Sequence, residues 1–409
     1  MLRVQREENN MLRKFALSTV AASALLATPA LATDITLGVL NDQSGVYADL
    51  SGKGSVIAAQ MAVADFDAAG KGINVNIISA DHQNKPDIAS NIARQWYDQD
   101  GVDAILDVPT SSTALAVADV TAEFKKVFIN SGAATSDLTR GNCQPTTIHW
   151  TYDTAALANG TGKAVTEAGG DTWFFLTADY AFGHALERDT KAVVEANGGQ
   201  VLGAVAHPFP GTDFSSFLLQ AQASGAKVIG LANAGADTVN SIKQAAEFGI
   251  VQAGQKLAGL LLFINNVHSL GTQTAQGLQM TTAFYWDMND DTRAFSERFR
   301  AEAGAPPSMV QAGVYAGTLH YLKAVEAVGS DDAEAIVAKM KEMETDDPLF
   351  GKGYIRKDGR VIHDMYLMEV KTPDESENDW DLLKLVATIP GEEAFLPMED
   401  GGCAFALAN

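Results

Sequence analysis

Short apolar segments alternate with longer segments of helical spacing along most of this chain. The first apolar segment, Ile35–Leu40, ends in the polar residues Asn41–Gly45, and a helical pattern with small residues on one face follows at Val56–Ala68. The next elements in this rhythm are Ile73–Ser79, Ile88–Asp98, Ala104–Val108, Thr113–Phe124 and Val127–Ile129. Strands that alternate with helices in this way are typical of βαβ units, so we expect a parallel, doubly wound sheet.

The alternation starts again after Tyr152 and predicts a second sheet of the same kind. Its predicted strands are Trp173–Leu176, Val201–Ala206, Val228–Leu231 and Leu260–Ile264, and its helices are Gly183–Asn197, Phe214–Ser224 and Asp237–Phe248. Farther along come a strand at Gln279–Tyr285, helices at Thr292–Ala303, Val310–Val328 and Asp332–Met343, a polar hairpin over Tyr354–Val370 that turns at Lys357–Arg360, and a last strand at Trp380–Ile389. The pattern therefore predicts an α/β protein with two doubly wound parallel-sheet lobes.

Three hinge crossings are expected to join these lobes, near Tyr152–Asp153, Tyr285–Trp286 and Phe350–Tyr354. The crossings assign residues 33–152 and 286–352 to an N-terminal lobe, and residues 153–285 and 353–372 to a C-terminal lobe. Residues 373–409 then form a C-terminal tail. At 409 residues the chain is long enough for two lobes of ordinary size.

Residues 1–32 have the pattern of a secretory signal peptide. A positive start, Met11–Lys14, precedes the apolar run Phe15–Leu26, and Ala30–Ala32 has the small residues of a cleavage site, which predicts cleavage after Ala32. The acidic stretch before Met11 is unusual for a signal, so translation from Met11 stays open as an alternative. Because the apolar run is short and no later run reaches ~18 residues, we expect a soluble, exported protein.

The overall charge argues against two classes of partner. With 51 acidic and 29 basic residues, the formal net charge is −22. So acidic a surface disfavours binding to nucleic acid and to anionic lipid. It carries no information about a small-molecule ligand.

The chain has two cysteines, Cys143 and Cys403. In an exported protein an isolated pair is typical of a disulfide, which here would tie the C-terminal tail to the first half of the chain. Two unpaired thiols are the alternative that the sequence leaves open.

Motifs of catalytic and metal chemistry are missing from the sequence. It has no phosphate-binding GxxxxGK[ST], no HExxH or CxxC, and no GxSxG nucleophile elbow. The seven histidines are scattered without metal-ligand spacing. We therefore expect a protein that is not an enzyme and that carries no cofactor or metal. An exported hydrolase that uses Ser111 is the remote alternative.

The loops that follow the predicted strands carry the pattern of a known family. Gly45, Pro109–Thr113 and Ser131–Ala133 follow three strands of the first half, and Ala178–Gly183 and Asp213–Ser215 lie in the second. In the order and spacing of these segments, the chain resembles the leucine/isoleucine/valine-binding family of periplasmic solute receptors, of type I lobe topology, over essentially the whole mature chain. The resemblance implies the periplasmic substrate-binding component of an ABC importer, which closes on its solute by hinge bending and is recognised by a permease in the inner membrane. We expect it to be a monomer.

The resemblance also implies where the ligand binds. Thr110, Ser111 and Ala133–Thr135 correspond to the turns that hold the ligand carboxylate and ammonium in the family, Phe182 stands where the family often has tyrosine, and a further contact maps to Asn233 or Ala234. Aromatic residues near the cleft would add flat apolar walls. The expected ligand-binding residues are Tyr47, Thr110, Ser111, Ser112, Ala133, Ala134, Thr135, Tyr152, Phe182, Asn233, Phe263 and Trp286.

The chain departs from the family pattern in two places. Amino-acid binders usually carry an acidic residue after the strand predicted at Leu260–Ile264, and this chain has none there. A buried ammonium without a counter-charge costs several kcal/mol, so an α-amino acid is disfavoured unless Asp237 supplies the charge. The common early disulfide of the family is also missing, because its positions fall on Asn84 and Pro109.

Four further segments, Asp81–Asp87, His149–Asp153, Phe284–Asp287 and the tail that ends in Cys403, resemble a subgroup linked to the uptake of aromatic acids. The expected ligand is therefore a small carboxylated solute with an aromatic or branched apolar body. A branched-chain amino acid, an amide or urea in the same transport role, and a sensor that feeds a signalling receptor remain alternatives. For Trp150 and Trp286, packing at the hinge is as well supported as contact with ligand.

Overall fold

The computed structural model describes residues 33–408. The predicted signal peptide, its cleavage site and the alternative start at Met11 lie outside these residues. Within residues 33–408, no helix combines the length and the apolar character that a membrane span requires.

A five-stranded parallel sheet forms from the first half of the chain, in the order β2-β1-β3-β4-β5. Its strands are β1 (Thr33–Asn41), β2 (Ile73–Asp81), β3 (Ala104–Asp107), β4 (Val127–Asn130) and β5 (Thr147–His149), and its helices are α1 (Gly52–Phe66), α2 (Pro86–Asp98) and α3 (Ser111–Phe124). Every residue of the central strands β3 and β4 is buried. Burial on both faces is what a parallel sheet covered by helices requires, and it explains their unbroken apolar runs.

A four-stranded parallel sheet follows, in the order β7-β6-β8-β9. Its elements are α4 (Thr154–Leu157), a π-helical turn (Ala158–Gly162), α5 (Lys163–Glu167), β6 (Thr172–Ala178), α6 (Ala181–Ala196), β7 (Gln200–His207), α7 (Ser215–Ala223), β8 (Val228–Ala232), α8 (Ala236–Glu247), β9 (Lys256–Gly259), α9 (Ile264–Leu270) and α10 (Thr272–Ala275). Both sheets are parallel with helices between the strands, so the predicted α/β class with two doubly wound sheets is confirmed.

The strand predicted at Leu260–Ile264 is wrong. The register pairs Val228 with Lys256 and Leu231 with Gly259, so β9 ends at Gly259. Residues 260–263 are buried beyond the strand end and lead into α9. An apolar run that lines a buried cleft has the same composition as a buried strand, and the sequence pattern does not separate the two.

The last third of the chain adds two small antiparallel sheets. Its elements are β10 (Gln279–Thr282), α11 (Asp290–Ala303), α12 (Met309–Val328), α13 (Ala333–Glu342), β11 (Thr345–Asp347), β12 (Gly351–Ile355), β13 (Val361–Ile362), β14 (Met365–Val370), β15 (Leu383–Ile389), α14 (Gly391–Ala394), α15 (Met398–Gly401) and α16 (Ala404–Leu407). The predicted hairpin over Tyr354–Val370 is wrong in its second half, because only β12 and β13 pair across the turn. Strand β14 pairs with β10 and β15 instead.

The returning helices belong with the first sheet. Gln311 of α12 donates to the carbonyl of Ser51 beside α1, at 3.1 Å, and Arg298 of α11 pairs with Asp65 of α1 at 2.6 Å. We call the five-stranded sheet with α1–α3 and α11–α13 the N-lobe, and the four-stranded sheet with α4–α10, β10, β14 and β15 the C-lobe. The bounds predicted for the two lobes stay a prediction.

The chain passes between the lobes at three points. It leaves β5 for α4 at Trp150–Asp153, and it returns from β10 to α11 through Ala283–Asn289. The third passage lies at His363–Asp364, after the β12–β13 hairpin, which is bridged to β5 through His149 and Arg360. It therefore lies later in the chain than the predicted crossing at Phe350–Tyr354.

The predicted disulfide between Cys143 and Cys403 is confirmed. The two sulfur atoms are bonded, and the Cα atoms lie 5.7 Å apart. The bond ties the C-terminal tail to the loop before β5, over a sequence separation of 260 residues.

Candidate functional site

A pocket of about 230 Å³ lies between the two lobes. Its walls are Tyr47, Leu50, Pro109, Gly132, Ala134, Tyr152, Tyr180, Phe182, Ala234, Leu261 and Phe263. Five of these residues are aromatic, and none carries a charged side chain. Because the lining residues follow the carboxyl ends of strands in both lobes, the pocket occupies the position at which open α/β sheets bind ligands.

The turn after β1 fixes Tyr47. The carboxylate of Asp42 accepts hydrogen bonds from the amides of Gly45 at 2.7 Å and Tyr47 at 2.9 Å, and from the side chain of Asn84 at 2.6 Å. A Cβ atom at Gly45 would lie 2.8 Å from the Asp42 carboxylate oxygens. Glycine is therefore required for the close approach that closes this turn.

Three aromatic rings connect the lobes at the rim of the pocket. The ring of Phe209 stacks on Tyr180 with centroids 4.1 Å apart and on Tyr47 of the N-lobe at 5.7 Å. The hydroxyls of Tyr47 and Tyr180 share a hydrogen bond across the cleft. Burial raises the pKa of both phenols, so both stay protonated at neutral pH and offer neutral hydrogen bonds.

Tyr152 forms the wall at the first crossing. Its hydroxyl donates to the carbonyl of Gly132 at 2.7 Å, and its ring meets Phe263 edge to face at 6.2 Å. The hydrogen bond fixes one end of the side chain in the N-lobe, while the ring touches the C-lobe. Tyr152 therefore faces the pocket mainly with its apolar ring.

Asp237 is a buried acidic residue near this pocket. It is buried in the first turn of α8, and its carboxylate accepts from the amide of Gly211 at 3.1 and 3.2 Å. Burial raises the pKa of Asp237 to about 7. Its charge in turn raises the pKa of Tyr47 and Tyr180, which places it close behind the tyrosine pair, although it does not line the pocket.

Metal binding finds no support in this part of the chain. Among residues 33–408, no group of three or more His, Cys, Asp and Glu side chains could hold a metal ion. The polar groups of the pocket are tyrosine hydroxyls and main-chain atoms.

The family model described as "Periplasmic binding protein" matches residues 34–377. The chain belongs to the periplasmic binding protein family. A relative named Leu/Ile/Val-binding protein homolog 6, from Brucella melitensis, is 25% identical over 374 residues, which cover 89% of this chain and 94% of the relative. The family is one of periplasmic solute-binding proteins and not of enzymes, and its members work with ABC transporter permeases.

Two solved structures share the fold and much of the sequence. A periplasmic binding protein from Burkholderia mallei is 52% identical with a TM-score of 0.89, and the match covers 92% of this chain and 100% of that one. A branched chain amino acid ABC transporter periplasmic ligand-binding protein from Burkholderia xenovorans LB400 is 42% identical with a TM-score of 0.80, over 90% and 99% of the two chains. The type I periplasmic binding fold is thereby confirmed.

In this family member, five of the predicted ligand-binding residues line the pocket. They are Tyr47, Ala134, Tyr152, Phe182 and Phe263. The structure brings them together from both lobes and from the first crossing. Their contact with a ligand stays a prediction.

The hydroxyls of Thr110 and Ser111 form hydrogen bonds within the N-lobe. Thr110 donates to the side-chain oxygen of Asn84, and the hydroxyl of Ser111 accepts from the amide of Thr135 at 3.2 Å. Neither these residues nor Ser112 and Ala133 line the pocket. Ser111 and Ser112 open α3, however, so their amides have no partner within the helix and lie at its positive end.

Asn233 and Trp286 also lie outside the pocket. Asn233 is buried in the C-lobe, where its side chain donates to Ser241 at 3.0 Å and accepts from Thr238 at 2.8 Å, while its neighbour Ala234 lines the pocket. The indole of Trp286 donates to the carbonyl of Trp380 at 2.9 Å. Trp286 contributes to a second cavity at the second crossing, in keeping with the packing alternative.

Five lining residues were missed by sequence reasoning. They are Leu50, Pro109, Gly132, Tyr180 and Leu261. Pro109, Gly132 and Tyr180 lie in segments that carry the family pattern, so their position at a strand end was a usable signal. Leu50 and Leu261 are apolar residues in buried loops, which the sequence presents like any core position.

Proposed function

We propose that this protein binds a small carboxylic acid with an aromatic or branched apolar body, as the substrate-binding component of an ABC importer. The observation that carries the proposal is the pocket wall, which has five aromatic rings and no charged side chain. Such a wall favours a flat apolar body over a polar or doubly charged one. Closure of the C-lobe over the N-lobe would exclude water and strengthen each hydrogen bond to the ligand.

The start of α3 supports the carboxylate part of the proposal. A helix N-terminus attracts an anion through its free amides and its dipole, and α3 begins at Ser111, two residues after the lining residue Pro109. Gly132 and Ala134 on the neighbouring turn also line the pocket. A carboxylate held here would need no cationic side chain.

A branched-chain amino acid is the second candidate, and Asp237 favours it. The carboxylate of Asp237 lies close behind the Tyr47–Tyr180 pair, where it could offset an ammonium. The 42% identical protein is described as belonging to a branched chain amino acid transporter. Against this candidate, Asp237 does not line the pocket, and its raised pKa leaves it partly protonated at neutral pH.

The relatives support transport rather than signalling. The Burkholderia xenovorans protein is described as part of an ABC transporter, which supports a permease as the partner of the closed form. Genes for a permease and an ATPase beside this gene would support import, whereas an adjacent sensor kinase gene would contradict it.

Thermal unfolding with three probes tests the ligand class. We expect benzoate to raise the melting temperature more than benzamide, which has the same ring without the charge, and more than leucine. A larger shift with leucine would favour the amino-acid candidate, and no shift with any acid would contradict the proposal. Mass spectrometry of the acid that co-purifies with the protein would then identify the natural ligand.

A further inference from the structure

A second cavity lies directly behind the pocket. Its volume is about 250 Å³, and it opens beside the second crossing between Met280, Phe284, Met309 and Leu383. Phe263 is the one residue that lines both this cavity and the pocket between the lobes. Phe263 therefore lies between two largely apolar spaces.

The position of Phe263 is fixed by its surroundings. It precedes α9, and its amide donates to the side chain of Asn266 at 3.1 Å, while the carbonyl of Phe263 accepts from the helix amides of Asn266 and Val267. Its ring is 2% exposed and packs edge to face on Tyr152. A buried ring on an anchored backbone has few alternative rotamers, so it acts as a fixed partition.

We propose that Phe263 determines how long a ligand this protein accepts. With the ring in place, the apolar end of the ligand stops at Phe263; with a small side chain there, the pocket continues into the second cavity. This inference rests on the proposed function. The second cavity would then accommodate the extended apolar chain of a longer acid, since its walls are mostly Met, Phe, Leu and other apolar groups.

The test compares Phe263→Ala with Phe284→Ala, using benzoate and 4-phenylbutanoate as probes. Both changes remove a buried ring that lines the second cavity, but only the first removes the partition. We expect Phe263→Ala to shift the preference towards 4-phenylbutanoate by tenfold or more, measured by calorimetry. Phe284→Ala should leave the ratio of the two affinities unchanged.

Two outcomes would overturn the role of Phe263. One is an equal change in the ratio for both variants, and the other is a crystal structure of Phe263→Ala in which neighbouring side chains refill the space. If the wild-type protein binds neither acid, the proposed function fails. The ligand-free crystal structure of Phe263→Ala then tests the partition by itself. One continuous cavity in that structure supports the partition, and two separate cavities contradict it.

The C-terminal tail carries a second, independent inference. After β15 in the C-lobe, the tail follows the third crossing, where the carbonyl of Ala394 accepts from Asn159 at 2.9 Å and that of Leu396 accepts from Arg356 at 2.7 Å. It ends at the disulfide between Cys403 and Cys143 of the N-lobe. The tail is thus a further covalent path between the lobes.

The tail packs against the third crossing, and the segment before Cys143 contacts the C-lobe. The buried ring of Phe395 packs against His363 at 5.6 Å, and the guanidinium of Arg360 lies over it at 4.4 Å, so the tail covers the third crossing. Cys143 follows the segment of Ser136 and Arg140, which bind Asp189 of the C-lobe at 2.7 and 3.2 Å. The disulfide therefore anchors a segment that itself contacts the opposite lobe.

We infer that the disulfide-tied tail is a strap that limits how far the lobes open. The test uses dithiothreitol, which donates two electrons and two protons, cleaves the bond to two cysteine thiols and is itself oxidised to the cyclic disulfide. Hydrogen exchange of residues 150–154 and 360–364 and the radius of gyration in solution are measured without ligand. We expect reduction to speed exchange several-fold and to increase the radius.

The matched control is the double variant Cys143→Ser/Cys403→Ser. It should resemble the reduced wild-type protein, and dithiothreitol should have no further effect on it. Reduction that changes neither the exchange at the crossings nor the radius would overturn the strap. Because no ligand is used, this result is independent of the proposed function.

Discussion

The structural role of Arg360 could not be predicted from the sequence. It stands at the turn of a polar hairpin, where a charged side chain is normally solvated, yet it is fully buried at the crossings between the lobes. Its guanidinium donates to the carbonyls of Trp150 and Tyr152 and lies 3.7 Å from the carboxylate of Asp153. The hydrogen-bond partners of Arg360 lie some 200 residues away in the sequence, so no local sequence pattern indicates its burial.

Replacing Arg360 should destabilise the fold strongly. Arg360→Met would leave the Asp153 carboxylate and two carbonyls without their buried partner, so we expect a loss of about 3–5 kcal/mol in the free energy of unfolding. The control is Arg298→Met, because Arg298 is 53% exposed in its pair with Asp65 and should cost about 1 kcal/mol or less. Urea unfolding measures both, and equal losses would contradict the prediction.

Asp237 should make stability depend on pH. Burial raises its pKa from 3.8 to about 7, so between these values the folded state holds a proton that the unfolded state has released. The contribution of Asp237 to stability therefore falls as pH rises through this window, by up to about 1.4 kcal/mol per pH unit. Asp237→Asn stays neutral, so its stability relative to the wild type should increase between about pH 4 and pH 7 in urea unfolding. A constant difference across that range would rule this out.

At the scale of helices and strands, the βαβ rhythm was predictable and the irregular elements were not. Predicted bounds for β1 to β4 and for α6 fall within a few residues of the observed ones, because the strands are apolar runs between polar or turn residues and α6 has helical spacing. Strand β5 is three residues long, too short to show alternation. Strand β14 was assigned to the wrong partner, since pairing with β10 depends on the lobes and not on the turn before it.

The π-helical turn between α4 and α5 should tolerate no added side chain at Gly160. A Cβ atom there would lie 2.1 Å from the hydroxyl oxygen of Thr281 on β10, in a buried contact. We expect Gly160→Ala to lower the free energy of unfolding by about 1–3 kcal/mol through overpacking. Gly141→Ala, which meets nothing within 4 Å, should change it by about 0.5 kcal/mol or less. Thermal unfolding compares the two variants. If Gly160→Ala does not change the stability, β10 shifts to accommodate the added methyl group.

At the scale of the whole molecule, the candidate site was predictable only in part. Strand-end loops could be placed at one edge of each sheet, which identified Tyr47, Ala134 and Phe182 as facing the cleft. Contacts that exist only when two lobes meet, such as the stack of Tyr47 with Phe209, have no signature within either lobe. Residues that join the two lobes should control how long a ligand stays bound, since opening must break their contacts.

Arg188 is one such residue and supports a test of closure. From α6 of the C-lobe it donates to Asp137 at 3.0 Å and to the hydroxyl of Ser136 at 2.8 Å, both in the N-lobe. Opening must break these bonds, whereas a pair within one lobe is unaffected. A half-exposed pair contributes ~0.5–1 kcal/mol, so Arg188→Ala should speed the release of benzoate about two- to five-fold.

The measurement is stopped-flow tryptophan fluorescence, because Trp150 and Trp286 lie at two of the crossings and should report hinge motion. Salt should speed release from the wild type more than from Arg188→Ala, since the variant lacks the Arg188–Asp137 pair and keeps the Arg140–Asp189 pair between the lobes. Arg94→Ala is the control, because Arg94 pairs with Glu123 inside the N-lobe at 2.7 Å. If both variants release benzoate at the wild-type rate, closure depends on the aromatic contacts of Tyr47 and Tyr180 rather than on this ion pair.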